Sequence, residues 1–193
     1  MTPAGILLTG GASRRMGTDK ATIIVGGETL ARRSARLLGA VCTTVVEVGP
    51  GVSGCDAVRE DPPGEGPLAA VLAGAARLEE LAVGPSPIVV LACDLPRLTD
   101  AALRRVATHP GAASVVPVVA GRPQWACTRW SIEARTRAAV AYAAGERGLR
   151  VLAEMPDLVA LPTDDDADAF SDADRPEDLP DGAQPPGSPF AAT

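Results

Sequence analysis

Short β-favouring runs alternate with alanine-rich helical stretches along this chain, and that alternation restricts its possible folds more than any other feature. Residues 4–9 form an apolar run ending at Gly10-Gly11, and residues 88–93 form another ending at Asp94-Leu95-Pro96. Runs without polar alternation suit strands covered on both faces, as in a parallel sheet. Leu30, Ala31, Ala35, Leu37 and Leu38 make a helical stripe, with Arg32, Arg33 and Arg36 largely off it, and Val45, Val46 and Val48 then supply a second strand. A strand over 55–59 leads through a turn-rich segment into a helix over 68–81, with Pro67 fitting its first turn. Thr99 is placed to cap a third helix. Strands near 115–119, 125–130 and 158–161, and a helix after Ser131, complete the pattern of an α/β fold with helices packed on a mostly parallel sheet.

The 193 residues suit one domain over residues 1–179, followed by a Pro- and Gly-rich tail over 180–193 that lacks the apolar content to pack. Aromatics make up only 3% of the chain, which favours close helix-on-sheet packing over an aromatic-rich β-sandwich. A net charge of −6 and a pI near 4.8 argue against nucleic acid as a partner, so any phosphate binding must be local. Cys42, Cys55, Cys93 and Cys127 have no C-x-x-C spacing, and His109 cannot complete a zinc pattern with them; free, mostly buried thiols are expected. The apolar start is too short for a secretory or membrane-spanning segment and carries no basic flank, which predicts a cytoplasmic protein without membrane contact.

The chemistry concentrates in Gly10-Gly11-Ala12-Ser13-Arg14-Arg15-Met16-Gly17-Thr18-Asp19-Lys20. Glycines let backbone N–H groups approach phosphate oxygens, and cations offset charge that would repel an attacking anion. Ligands of open parallel sheets bind beyond the carboxyl ends of strands, where this loop begins. It is neither a P-loop nor G-x-G-x-x-G, because no Gly-Lys-Ser/Thr follows a four-residue gap and Gly10 and Gly11 are adjacent. A Gly-rich turn with solvated arginines is the other reading of the loop by itself.

Taken whole, residues 7–21 resemble the L-A-G-G-x-S-x-R-M-G-x-D-K signature of the MobA-like nucleotidyltransferases. The resemblance continues through Glu60-Asp61, Gly66-Pro67-Leu68-Ala69-Ala70, Cys93-Asp94-Leu95-Pro96, Ala144-Gly145-Glu146-Arg147 and residues 170–179. It implies a three-layer αβα sandwich of the nucleotide-diphospho-sugar transferase type, with a Rossmann-like sheet. Within that family the resemblance is to enzymes that transfer GMP from GTP to the phosphate of molybdopterin and release pyrophosphate. It implies nucleotide contacts at Leu8, Thr9, Gly10, Gly11, Ser13, Lys20, Asp61, Gly66 and Asp94. Arg15, Lys20 and Asp94 carry the implied catalysis, with Mg²⁺ as the cofactor at Asp94 and Asp174. GTP and molybdopterin are the implied partners, with transient contact to molybdoenzymes or cofactor-delivery proteins. By itself Asp94 also reads as a turn or cap aspartate before Pro96.

Several segments depart from the pattern. The family's N-x-N-T-P reads Asp172-Ala173-Asp174-Arg175-Pro176, whose carboxylates suit either metal contact or capping of a short helix over 176–179. An asparagine expected near the base is replaced by Glu47-Val48-Gly49, where Glu47 either accepts hydrogen bonds from guanine or is an exposed strand-end charge. The acceptor-side H-P-x reads Arg122-Pro123-Gln124 before Trp125, which suits either acceptor contact or a loop arginine beside a core tryptophan. Glu146 and Arg147 divide similarly between acceptor contacts and surface charges, while Asp164-Asp165-Asp166 with Asp168 is a solvated charge run. Two alternatives stay open: a cytidylyltransferase or other small-phosphate nucleotidyltransferase, and a non-catalytic nucleotide-binding accessory protein.

Overall fold

The computed structural model describes residues 1–10, 19–111 and 113–185. The chain runs β1 (Ala4–Leu8), β2 (Ile24–Val25), β3 (Glu28–Thr29), α1 (Leu30–Gly39), β4 (Val45–Val48), β5 (Asp56–Val58), α2 (Pro67–Glu80), β6 (Ile88–Ala92) and α3 (Asp100–Ala107). It continues through β7 (Ser114–Val119), β8 (Arg122–Pro123), β9 (Cys127–Trp130), α4 (Ile132–Ala143) and β10 (Leu158–Pro162). The eight-stranded main sheet has the order β10-β7-β9-β6-β1-β4-β5, with β8 paired to β7. β5, β4, β1 and β6 are parallel; β9 runs antiparallel to β6 and β7, and β10 pairs parallel with β7.

Side-chain alternation on the central strands divides the core into two layers, because successive residues of a strand point to opposite faces. Ile6, Leu8, Ile88 and Val90 pack with Leu68, Val71 and Leu78 of α2 and Ala134 and Ala138 of α4. Leu7, Val89 and Leu91 pack on the other face with Ala31, Leu37 and Leu38 of α1 and Leu103 and Val106 of α3. The molecule is thus the three-layer αβα sandwich that the resemblance implied. Close approach explains one glycine: a Cβ at Gly74 of α2 would lie 2.8 Å from Ile6 Cγ2 and 3.0 Å from Val48 Cγ2.

Local signals set the helix starts. Thr29, Thr99 and Ser131 each accept an N–H from three residues on, into Arg32, Ala102 and Ala134, which satisfies an otherwise orphaned donor. Pro67 opens α2, where its missing N–H is harmless. Two features escaped the sequence pattern. The small β2–β3 hairpin turns at Gly26 and Gly27, both at positive φ. Ile24 also bridges antiparallel to Gln184, so residues 180–185 lie against the body where the composition predicted an unpacked tail. Among the described residues no helix is long and apolar enough to cross a membrane. All four cysteines are free; Cys93 and Cys127 are buried, Cys42 and Cys55 half-buried. Burial pushes the Cys42, Cys93 and Cys127 thiols up to about 12, so they stay protonated and inert at neutral pH.

Candidate active site

The parallel strands β1, β4 and β6 end together, and their ends are tied by backbone bonds. Cys93 N donates to Leu8 O at 3.0 Å, Gly49 N to Val58 O at 2.9 Å, and Thr9 N and Gly10 N to Val48 O at 3.1 and 3.3 Å. The last pair qualifies the sequence reading, because the Thr9 and Gly10 N–H groups are already engaged inside the protein. Gly11, Ser13 and Arg15, three of the predicted contacts, lie outside the described residues.

A cavity of about 410 Å³ opens at these strand ends, lined by Leu8, Thr9, Gly10, Lys20, Cys93 and Asp94 on one side. Such a volume lies within the range of about 300–1,000 Å³ usual for small-ligand sites. Lys20, at the start of a 3₁₀ turn (Lys20–Thr22), reaches Asp94 Oδ2 at 3.4 Å and Asp174 Oδ1 at 2.6 Å. Asp19 caps that turn through its side chain, which accepts from Ala21 N at 3.0 Å. Asp174 arrives from 154 residues away because Ala173 N donates to Asp94 O at 2.9 Å and buried Ala173 packs with Ile23 and Leu30.

Burial acts to lower the Lys20 pKa, but its bond to Asp174 and the charge of Asp94 outweigh it and hold the ammonium above its ordinary value. Burial pushes the Asp94 carboxyl up; Lys20 opposes it and the charge of Asp172 adds to it, and the net result is a raised pKa. Asp94 Oδ1 is buried and meets no donor among the described residues. A buried carboxylate oxygen without a donor is expensive unless a cation or proton meets it.

Asp172 is exposed and Asp174 is 48% exposed at the cavity's edge. Neither side chain caps the turn at Pro176–Asp178; that role belongs to Asp178, whose Oδ2 accepts from Asp174 N and Arg175 N at 3.0 and 2.8 Å. Asp61 is exposed after β5 and does not line the cavity, and Gly66 caps α2 beside Pro67, which does. A Cβ at Gly66 would stand 3.0 Å from Arg147 O, so the start of α2 and the loop after α4 meet there.

Glu47 corrects both sequence readings, since it is neither exposed nor turned toward a base. It is fully buried and accepts from Thr9 Oγ1 at 2.5 Å, Gly51 N at 2.8 Å, Val52 N at 3.1 Å and Ser53 N at 2.8 Å. Burial acts to raise its pKa, but the bonds from Ser53, Thr9 and Val52 outweigh burial and keep the carboxyl below its usual value.

The other side of the cavity is formed by Pro67, Trp125, Ala126, Leu149 and Arg150. Trp125 is half-buried, packed on the core and also lining the cavity, so the two readings of it combine. Arg122 is exposed on β8 and absent from the lining, and Gln124 Nε2 turns back to Arg122 O at 2.9 Å. Arg147 donates to Glu65 Oε2 at 3.0 Å and to the carbonyls of Tyr142 and Glu146, and its guanidinium stacks 4.4 Å over the Tyr142 ring. That set of contacts gives Arg147 a surface-organising role. Arg150 was not singled out by sequence reasoning; it is an exposed residue that lines the cavity, and its guanidinium forms no hydrogen bond or ion pair with any described residue.

A cavity at parallel strand ends, with a lysine set between two carboxylates, is an arrangement for a polyphosphate and its counter-charges. Known proteins agree. Residues 5–161 match the model of the MobA-like NTP transferase domain. A molybdenum cofactor guanylyltransferase of Rhodobacter capsulatus is 33% identical over 186 residues, covering 93% of this chain and 94% of that protein. The molybdopterin-guanine dinucleotide biosynthesis protein A of Archaeoglobus fulgidus superposes with a TM-score of 0.69 at 20% identity, over 91% of this chain and 94% of that one. The 2-C-methyl-D-erythritol 4-phosphate cytidylyltransferase of Thermus thermophilus has a TM-score of 0.61 at 19% identity, over 90% and 94%. Fold, strand-end cavity and sequence match converge, and the chain belongs to the MobA-like NTP transferase family.

Proposed function

We propose that the chain transfers GMP from GTP to the terminal phosphate of molybdopterin, giving the guanine dinucleotide form of the cofactor and releasing pyrophosphate. The observation that carries this reading is Lys20 held between Asp94 and Asp174 in the strand-end cavity. An acceptor phosphate oxygen attacks the α-phosphorus in line. A new P–O bond forms, the α–β phosphoanhydride bond breaks, and the electron pair leaves on pyrophosphate. Positioning and charge neutralisation supply the acceleration, and no covalent enzyme intermediate is needed. Lys20, with Arg15 from the Gly-rich loop, offsets negative charge on the triphosphate.

The donor set at Asp94 fits Mg²⁺, because this ion takes oxygen ligands, often one or two carboxylates completed by phosphate oxygens. Asp94 Oδ1 is buried without a donor, and Asp174 stands across Lys20 from it. Among the described residues no group of three or more His, Cys, Asp or Glu side chains could hold a metal by itself, so an ion held by Asp94 would draw its other oxygen ligands from substrate phosphates and water. Bound there, Mg²⁺ would supply charge neutralisation at the phosphates.

Trp125 and Arg150 line the cavity together, and would supply the acceptor with an aromatic ring to pack on and its phosphate with a cation. The reaction belongs in the cytoplasm, with the product passing to a molybdoenzyme or a delivery protein.

The test is pyrophosphate release with molybdopterin and Mg²⁺ under anaerobic conditions, comparing GTP, CTP, ATP and UTP. Selective release with GTP is expected. Selective release with CTP would keep the mechanism and change the product, and tight triphosphate binding with no release would point to a binding protein.

A further inference from the structure

Glu47 takes no part in the transfer just described, yet beside the cavity its carboxylate accepts four hydrogen bonds. It sits inside β4 with no exposed surface. Its two oxygens collect four hydrogen bonds from two different loop origins: Thr9, at the end of β1, and Gly51, Val52 and Ser53, beyond the end of β4. An ionised side chain in the core is costly unless its lone pairs are filled, and here they are filled by groups that belong to the loops.

The loop beyond β4 also presses on the same place. Gly49 N is tied to Val58 O at 2.9 Å, and a Cβ added at Gly49 would overlap Thr9 Oγ1 and lie 2.8 Å from Gly10 N. Thr9 is therefore held on three sides: by its hydroxyl on Glu47, by its N–H on Val48 O, and by the bare Cα of Gly49. Thr9 and Gly10 both line the cavity, and the Gly-rich loop departs from them. The contacts around Glu47 therefore fix the two cavity-lining residues that follow β1.

We propose that Glu47 is a positioning residue for triphosphate binding, a buried carboxylate that locks Thr9 and residues 51–53 together so that the Gly-rich loop starts from a fixed point at the cavity wall. The inference rests on the proposed nucleotidyltransferase function and assigns to it a residue that touches neither substrate. Because Thr9, Gly51, Val52 and Ser53 all donate, only an acceptor serves at this position. Glutamine matches the shape but puts an amide N–H₂ against one of those donors.

The experiment titrates the full-length protein with GTP in Mg²⁺ by calorimetry at 15 °C, alongside thermal melts and steady-state kinetics. Glu47→Gln is expected to weaken GTP binding at least tenfold and to raise the KM for GTP, with kcat at saturation and the acceptor KM within twofold of wild type. A folded Glu47→Gln protein that binds GTP within twofold of wild type, whatever its melting temperature, overturns the proposal and leaves a purely structural carboxylate. Should Glu47→Gln not fold, Glu47→Asp decides: it keeps the charge but withdraws the carboxylate by one methylene from its four donors, and is expected to weaken GTP binding about threefold with kcat within twofold of wild type. A folded Glu47→Asp protein that binds GTP as wild type overturns the proposal. A wild-type chain that binds no triphosphate removes the functional reading and this inference with it.

Discussion

The two sides of the cavity hold their polar groups in different ways. On the side built by the ends of β1, β4 and β6, nearly every polar group is spoken for: Glu47 has four donors, Val48 O takes two N–H groups, and Lys20 is drawn to Asp94 and Asp174. On the other side, Trp125 and Leu149 present mainly apolar surface, and Arg150 has no partner among the described residues. Dense internal bonding fixes a site before its ligand arrives, whereas an unpaired guanidinium is ordered by what binds it. The first side is suited to holding a ligand in one fixed place, and the second to a group that orders the side chains it meets. Burial adds to the contrast, because hydrogen bonds are strengthened and unmet polar atoms penalised where water is excluded.

Four substitutions would break or sharpen that contrast. The largest effect belongs to Asp94→Asn, which keeps the shape and removes the charge. Mg²⁺-dependent kcat should fall by about 10²–10³-fold, the scale of losing one preorganised electrostatic contact. Melting temperature without nucleotide should change little, and parallel losses of activity and stability would remove the metal role from Asp94. Next comes Arg150→Ala: loss of one charge-assisted bond, about 1.5–3 kcal/mol, should raise the acceptor KM by roughly 10-fold or more and leave GTP affinity unchanged. A change in GTP affinity instead would place Arg150 on the nucleotide side.

A smaller effect separates the sides by pH. The bonds that outweigh burial keep the Glu47 carboxyl below its ordinary value, so its contribution to stability is present above the unfolded pKa of about 4.3 and is lost as pH falls through the folded value. Glu47→Gln should accordingly lose stability at neutral pH and show a flatter stability profile below about pH 4.3 than wild type in acid-melting experiments. Identical acid limbs would mean that Glu47 is not held ionised. The smallest effect is expected for Arg122→Ala. Arg122 is exposed and lies off the cavity lining, so both KM values should stay within about twofold, the difference expected of a solvated charge.

What the sequence made legible follows the same division. Strands and helices were readable because apolar runs, Pro67 and the caps Thr99 and Ser131 act over a few residues. Leu8, Thr9, Gly10, Lys20 and Asp94 were readable from their motif and do meet in one cavity. Asp174 was legible only through the resemblance, since nothing local shows that Ala173 will bond to Asp94 O and swing its neighbour onto Lys20. Glu47 was misread because a polar residue in a short strand resembles an exposed one; its partners are Thr9 and the loop beyond β4, which pattern alone does not bring together. Arg150 was missed because a single arginine outside the motif carries no spacing signal, while Arg147, the other arginine in the stretch after α4, lies in the motif and is occupied by Glu65 and Tyr142.

The most direct test of the account follows the α-phosphate. Wild-type protein is incubated anaerobically with molybdopterin, Mg²⁺ and GTP labelled at the α-phosphorus, and the pterin product is separated and cleaved at its pyrophosphate linkage. Label is expected in the pterin product, released on cleavage as GMP, with one pyrophosphate formed per labelled product. Label that stays in GTP, or that leaves as free GMP without entering the pterin, would contradict it.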